Sequence, residues 1–81
     1  MKRKTSARFD RDFDRLSADV KKQVDKQLEL LVQDLRYPSL RAKKYDESRD
    51  IWQARVTRGW RFYFRIVGDT YEILAIIKHP S

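Results

Sequence analysis

Between Ile51 and Arg65, in the run IWQARVTRGWRFYFR, the even positions Trp52, Ala54, Val56, Trp60, Phe62 and Phe64 are apolar, whereas Gln53, Arg55, Arg61, Tyr63 and Arg65 are polar or basic. Period two on both sides of a Gly-containing break predicts an antiparallel hairpin with one apolar and one cationic face. Ahead of it the period changes. Val20, Val24, Leu28, Leu31 and Leu35 recur at steps of four, four, three and four, which predicts an amphipathic helix N-capped by Ser17 and running to about Asp34, before Tyr37-Pro38 closes it. Phe9, Phe13 and Leu16 predict a shorter helix over Asp10 to Leu16, preceded by a short strand over Lys4 to Phe9.

Ser39 to Asp50, SLRAKKYDESRD, has no clear period and few apolar residues, so it reads as a basic loop. Gly68-Asp69 marks a turn, and Thr70 to Lys78, TYEILAIIK, is rich in β-formers. Because Leu74 to Ile77 are apolar on both faces, this last strand belongs inside the sheet and not at its edge. The predicted fold is α+β, a single domain over residues 1–81 of order β-α-α-β-β-β. An N-terminal helical hairpin packs on one face of a small, mostly antiparallel four-stranded sheet.

Composition excludes several classes of function. Eighty-one residues without cysteine form neither a disulfide framework nor a thiolate metal site, which fits a reducing cytoplasm, and a single histidine argues against a metal site of ordinary spacing. No apolar run approaches the roughly 20 residues of a membrane helix, and the start MKRKTSARFD lacks an apolar signal segment, so no membrane partner is expected. The net charge of +7 is unevenly placed: +4 over Met1–Arg8, −1 over Phe9–Pro38, +5 over Ser39–Arg65 and −1 over Ile66–Ser81. A solvated charged surface is one reading of this excess. Its concentration on the loop and one hairpin face favours another, an anionic partner such as RNA or DNA phosphate.

With these elements in place, the chain resembles the RelE/ParE superfamily of toxins from bacterial type II toxin–antitoxin systems. The likeness spans essentially the whole chain. It rests on the segment PSLRAKK, the strand beginning IWQARV, the step GWRFYF from Gly59 to Phe64, and a last strand ending in a histidine. The resemblance implies a metal-independent, cofactor-free endoribonuclease that cuts messenger RNA, in many members on the ribosome, and that is held inactive by a cognate antitoxin. ParE-like members instead inhibit DNA gyrase without nuclease activity, and a basic module that only binds nucleic acid is a third reading. Carried onto this chain, the resemblance implies that Arg55 faces the scissile phosphate, that Arg61 clamps it, and that His79 is an acid/base group. Gln53 stands where several members have Lys, and Ser81 ends the sequence before the place where some members carry a base-stacking tyrosine.

The chemistry of these residues is consistent with that assignment. RNA cleaves when its 2′-OH attacks the adjacent phosphorus in line with the leaving 5′-oxygen, which needs a base, an acid and positive charge on the non-bridging oxygens. Arg55 and Arg61 suit the charge requirement. An imidazole, ordinarily titrating near 6.5, is the side chain here that exchanges protons readily around neutrality, although a terminal histidine beside Pro80 can equally be plain surface. Lys43, Lys44 and Lys78 read as phosphate or ribosomal anchors, with a solvated loop as the alternative for the first two. Gln53 and Arg65 complete the RNA-facing set, and Tyr63 is placed to stack on a base. Trp52, Trp60, Phe62 and Phe64 are assigned to the core.

Overall fold

Ser6 decides where the first helix begins. Its side-chain oxygen accepts the Phe9 N–H at 3.0 Å from an extended backbone, the geometry of an N-cap. In the computed structural model, which describes residues 1–80, the first strand β1 therefore spans Lys2–Thr5 and helix α1 spans Ala7–Asp14, each a few residues earlier than the periodicity predicts. Phe9 ends up not in a strand but in the helix, buried and stacked on Phe13. Helix α2 matches its prediction: it runs Ala18–Gln33, with Ser17 accepting the Val20 N–H and Asp34 closing the far end. Its inward stripe of Val24, Leu28 and Leu31 is fully covered.

The predicted loop over Ser39 to Asp50 is not one. It contains a 3₁₀ turn at Pro38–Leu40 and an edge strand, β2, at Lys43–Asp46. The hairpin follows as β3 (Ile51–Thr57) and β4 (Trp60–Val67), and β5 covers Thr70–Lys78. The sheet thus has five strands where four were expected, in the order β1-β5-β4-β3-β2. β1 and β5 pair in parallel, the β2–β3, β3–β4 and β4–β5 pairings are antiparallel, and β5 is interior, as its two-sided apolar run requires. Both outer edges carry lysines, which discourage pairing with another sheet. No helix among the described residues is long and apolar enough to cross a membrane.

One core lies between the helices and a single sheet face. Ala54, Val56, Phe62, Phe64, Tyr71, Ile73 and Ile76 meet Phe9, Leu16, Val24, Leu28, Leu31 and Leu40. The parity reading of the hairpin therefore holds, with Phe62 and Phe64 completely buried; each contributes about 1.5–3 kcal/mol of apolar transfer. Trp52 and Trp60 are only half-buried, packed against the margins of that core.

Three register shifts interrupt the ladder; one lies in β2 between Lys44 and Asp46, and the other two are met by side chains from the helical side. In β5, Phe64 pairs with Ile73 but Tyr63 pairs with Ala75, leaving Leu74 as an extra residue. The Ser6 hydroxyl donates to the Leu74 carbonyl at 2.7 Å, and the Ile76 N–H donates to Asp12 Oδ2 at 3.3 Å. In β3 the register shifts between Arg55 and Thr57, and the Arg55 carbonyl accepts from Gln27 Nε2 of α2 at 2.8 Å.

Candidate nucleic-acid interface

On the sheet face away from the helices, the alternation of β3 and β4 brings Arg55 directly opposite Arg61. Like charges so placed repel. The clash is partly managed by the β3–β4 turn, because Arg61 Nη1 donates to the carbonyls of Thr57 (2.6 Å), Trp60 (3.0 Å) and Arg58 (3.3 Å). Burial pushes the Arg61 guanidinium pKa down, and nearby Arg55 and Arg41 push in the same direction.

Around this pair, a cavity of about 210 Å³ is lined by Arg41, Lys43, Gln53, Arg55, Arg61 and His79. Among the described residues, no carboxylate contributes to its wall. His79 arrives at the end of β5, where its N–H donates to the Gly59 carbonyl at 2.8 Å and ties the strand end to the hairpin turn. Lys43 arrives from the edge strand, opposite Gln53. Arg41 comes from the residue after the 3₁₀ turn, in a left-handed conformation (φ 45°), with the neighbouring Leu40 buried as its anchor. Gln27 ties this loop to β3, since its Nε2 donates to both Ser39 O (3.1 Å) and Arg55 O (2.8 Å).

Beside the cationic cavity lies a larger groove of about 500 Å³ that shares Gln53 and His79 with it. Tyr45 and Tyr63 meet there edge to face with ring centres 4.9 Å apart, and Gln53, itself only 8% exposed, donates to the Tyr63 hydroxyl at 3.3 Å.

The residues proposed from sequence divide accordingly. Arg55, Arg61, His79, Lys43 and Gln53 come together in one cavity, and Tyr63 stands beside it. Lys44 does not join them. It pairs with Trp52 on the opposite sheet face, lies 5.1 Å from that indole ring, and is ion-paired with Asp50, whose hydrogen bond raises its pKa, and with Glu47 at 3.9 Å. Arg65 is exposed further along β4, opposite Glu72, and Lys78 borders the larger groove but not the cationic cavity. Sequence reasoning missed Arg41 and Tyr45. Both lie in the stretch without a period, and only the basic character of SLRAKK hinted at Arg41.

No protein-family model matches the chain, and no curated protein matches it. Solved structures do. A YoeB/ParE toxin from Agrobacterium tumefaciens superposes with a TM-score of 0.83 at 16% identity over 99% of this chain and 100% of its own. The isolated E. coli RelE toxin gives 0.79 at 15% identity, over 99% of this chain and 85% of its own. In the intact E. coli RelBE toxin–antitoxin complex the match is 0.74 at 13% identity, over 99% and 98%. With its two helices on a five-stranded mixed sheet, the chain has the fold of the RelE/ParE-like toxins.

Proposed function

We propose that this chain is the toxin of a type II toxin–antitoxin system, acting in the cytoplasm as a metal-independent endoribonuclease that cuts messenger RNA on the ribosome. The observation that carries this reading is the cationic cavity. Three arginines and a lysine surround one histidine, with no acid in the wall among the described residues, an arrangement suited to a phosphodiester and unsuited to a neutral or cationic substrate. In the proposed reaction the 2′-oxygen bonds to phosphorus, the P–O5′ bond breaks, and the strand ends in a 2′,3′-cyclic phosphate and a free 5′-hydroxyl. Arg55 and Arg61 stabilise charge on the non-bridging oxygens, while His79 exchanges the proton. Arg41 and Lys43 hold the chain on either side. The cognate antitoxin would cover this cationic face, in keeping with the RelBE toxin–antitoxin complex among the structural neighbours.

Pulse labelling after induction in bacteria tests the reading. Methionine incorporation should fall before thymidine incorporation, and messenger RNA cleavage on purified ribosomes should persist in a chelator. Early loss of thymidine incorporation with translation intact would instead indicate gyrase inhibition and remove the nuclease assignment.

A further inference from the structure

We propose that the groove walled by Tyr45 and Tyr63 is the seat of an unpaired nucleobase belonging to the nucleotide whose phosphate occupies the cationic cavity. The inference rests on that cavity being an RNA phosphate site.

The β5 bulge creates the floor of the groove. Without it Ile73 and Ile76 could not both face the helices, and the extra residue leaves Leu74, Ala75 and Ile77 lining the outer side. This is the face expected to be polar. Over that floor stand the two tyrosine rings, and Tyr45 is 62% exposed on an edge strand, where a large aromatic side chain gains little from the fold. The volume, about 500 Å³, falls within the roughly 300–1,000 Å³ of small-molecule sites and far exceeds a packing gap. The polar groups in its wall point to the occupant. Gln53 and His79 line this groove and the cationic cavity at once, so a ligand filling both carries an anion and a flat apolar group close together, which describes a nucleotide. Among the described residues, the ionised side chains at the rim are the cations Arg8 and Lys78. A basic groove with aromatic faces is the usual platform for single strands, because every base has a face to stack; a duplex keeps its bases inside and would leave the groove empty.

The test uses fluorescence anisotropy with a labelled 2′-O-methyl hexaadenylate, which cannot be cleaved, and the same backbone made abasic. Wild-type protein should bind the base-bearing strand roughly 5- to 150-fold more tightly than the abasic one, the range expected for one stacked base. Tyr45→Ala, at an exposed position that the fold does not need, should remove most of that preference while leaving abasic binding unchanged. Tyr45→Phe should retain it, and Tyr63→Leu should reduce it independently. Equal binding of the two strands by the wild type would overturn the nucleobase site while leaving the phosphate site standing, with the groove then open to a side chain of a protein partner. A preference that survives both Tyr45→Ala and Tyr63→Leu would overturn it as well. Binding of neither strand at low salt would remove the nucleobase site and the RNA reading of the cationic cavity together.

Discussion

Gln27 is the side chain on which helix α2, the Arg41 loop and strand β3 converge, and its removal has a calculable cost. The residue is 4% exposed, and one amide nitrogen serves two carbonyls, Ser39 O and Arg55 O. Gln27→Leu keeps the volume and removes both donors. The half-buried Arg55 carbonyl left without this donor costs about 1–3 kcal/mol, whereas Ser39 is exposed and its carbonyl can turn to water, so with the apolar gain of leucine a net loss of about 1–2 kcal/mol is expected. For a domain of this size that is a fall of roughly 4–16 °C in Tm, out of a total stability of about 5–15 kcal/mol. Gln27→Glu gives a second, pH-dependent signature. A carboxylate has no proton to donate and faces two carbonyl oxygens, so its pKa in the folded variant must rise above the ordinary value of about 4.3. The neutral acid recovers one donor. The deficit relative to wild type should therefore shrink as the pH falls towards about 4, and be fully present once the pH has risen through the raised folded value. Urea titrations followed by circular dichroism at both pH values measure this. If Gln27→Leu lies within about 0.5 kcal/mol of wild type, the two contacts do not hold the loop and the positioning assigned to Gln27 is wrong.

In single-turnover cleavage on saturated ribosomes, Arg61→Ala should cost about 2.7–4 kcal/mol of transition-state stabilisation, on the order of 10²–10³-fold in rate. His79→Gln should slow the bound step with little change in binding; a wild-type rate would make His79 a bystander. Lys43→Ala should weaken RNA binding and lower the salt slope by about 0.7, whereas Lys44→Ala, on the far face and already paired with Asp50, should leave the slope unchanged. Stability should also fall in alkali through Tyr71, whose phenol pKa burial pushes up. The sign follows because both states are neutral below about 10, above which the unfolded chain ionises first; the contribution is lost as the pH rises through the folded value. Thermal melts of Tyr71→Phe should show a smaller alkaline decline than wild type, and identical declines would refute the assignment.

The parts of the fold that were legible in the sequence are those with one wet face and one dry face. Helix α2 and strand β4 keep their period from end to end, and β3 keeps it up to its bulge, so Val24, Leu28, Phe62 and Phe64 fall where the spacing puts them. Strand β2 has no dry face. Its alternation sends Lys43 to the cationic cavity and Lys44 over Trp52, two lysines with opposite surroundings, and a pattern of apolar and polar letters cannot distinguish them. At the N-terminus the error lay in letting Phe9 extend a strand when Ser6 three residues earlier was a helix cap, a local hydrogen bond that outweighs a two-residue alternation. Arg41 depends on a left-handed backbone after a 3₁₀ turn, and nothing in SLRAKK marks that conformation for a residue other than glycine.

The site itself is built where the period fails. A bulge adds one residue and reverses which face every later side chain meets, so period-two reading is blind at the bulge and wrong beyond it. In β5 that reversal places Leu74, Ala75 and Ile77 on the outer face and gives the groove a floor. In β3 it turns the Arg55 carbonyl towards Gln27, so the strand segment carrying Arg55 is braced from below by the helix while its guanidinium stays on the open side. At the β5 and β3 bulges the carbonyl is met from the helical side, by the N-cap Ser6 for Leu74 and by Gln27 for Arg55. An unsatisfied bulge would cost stability; a satisfied one fixes the strand where it borders the cationic cavity and the neighbouring groove. The helices of this fold therefore act on the site from the opposite side of the sheet, and a substitution such as Gln27→Leu, outside the cationic cavity, should alter the arginine that lines it.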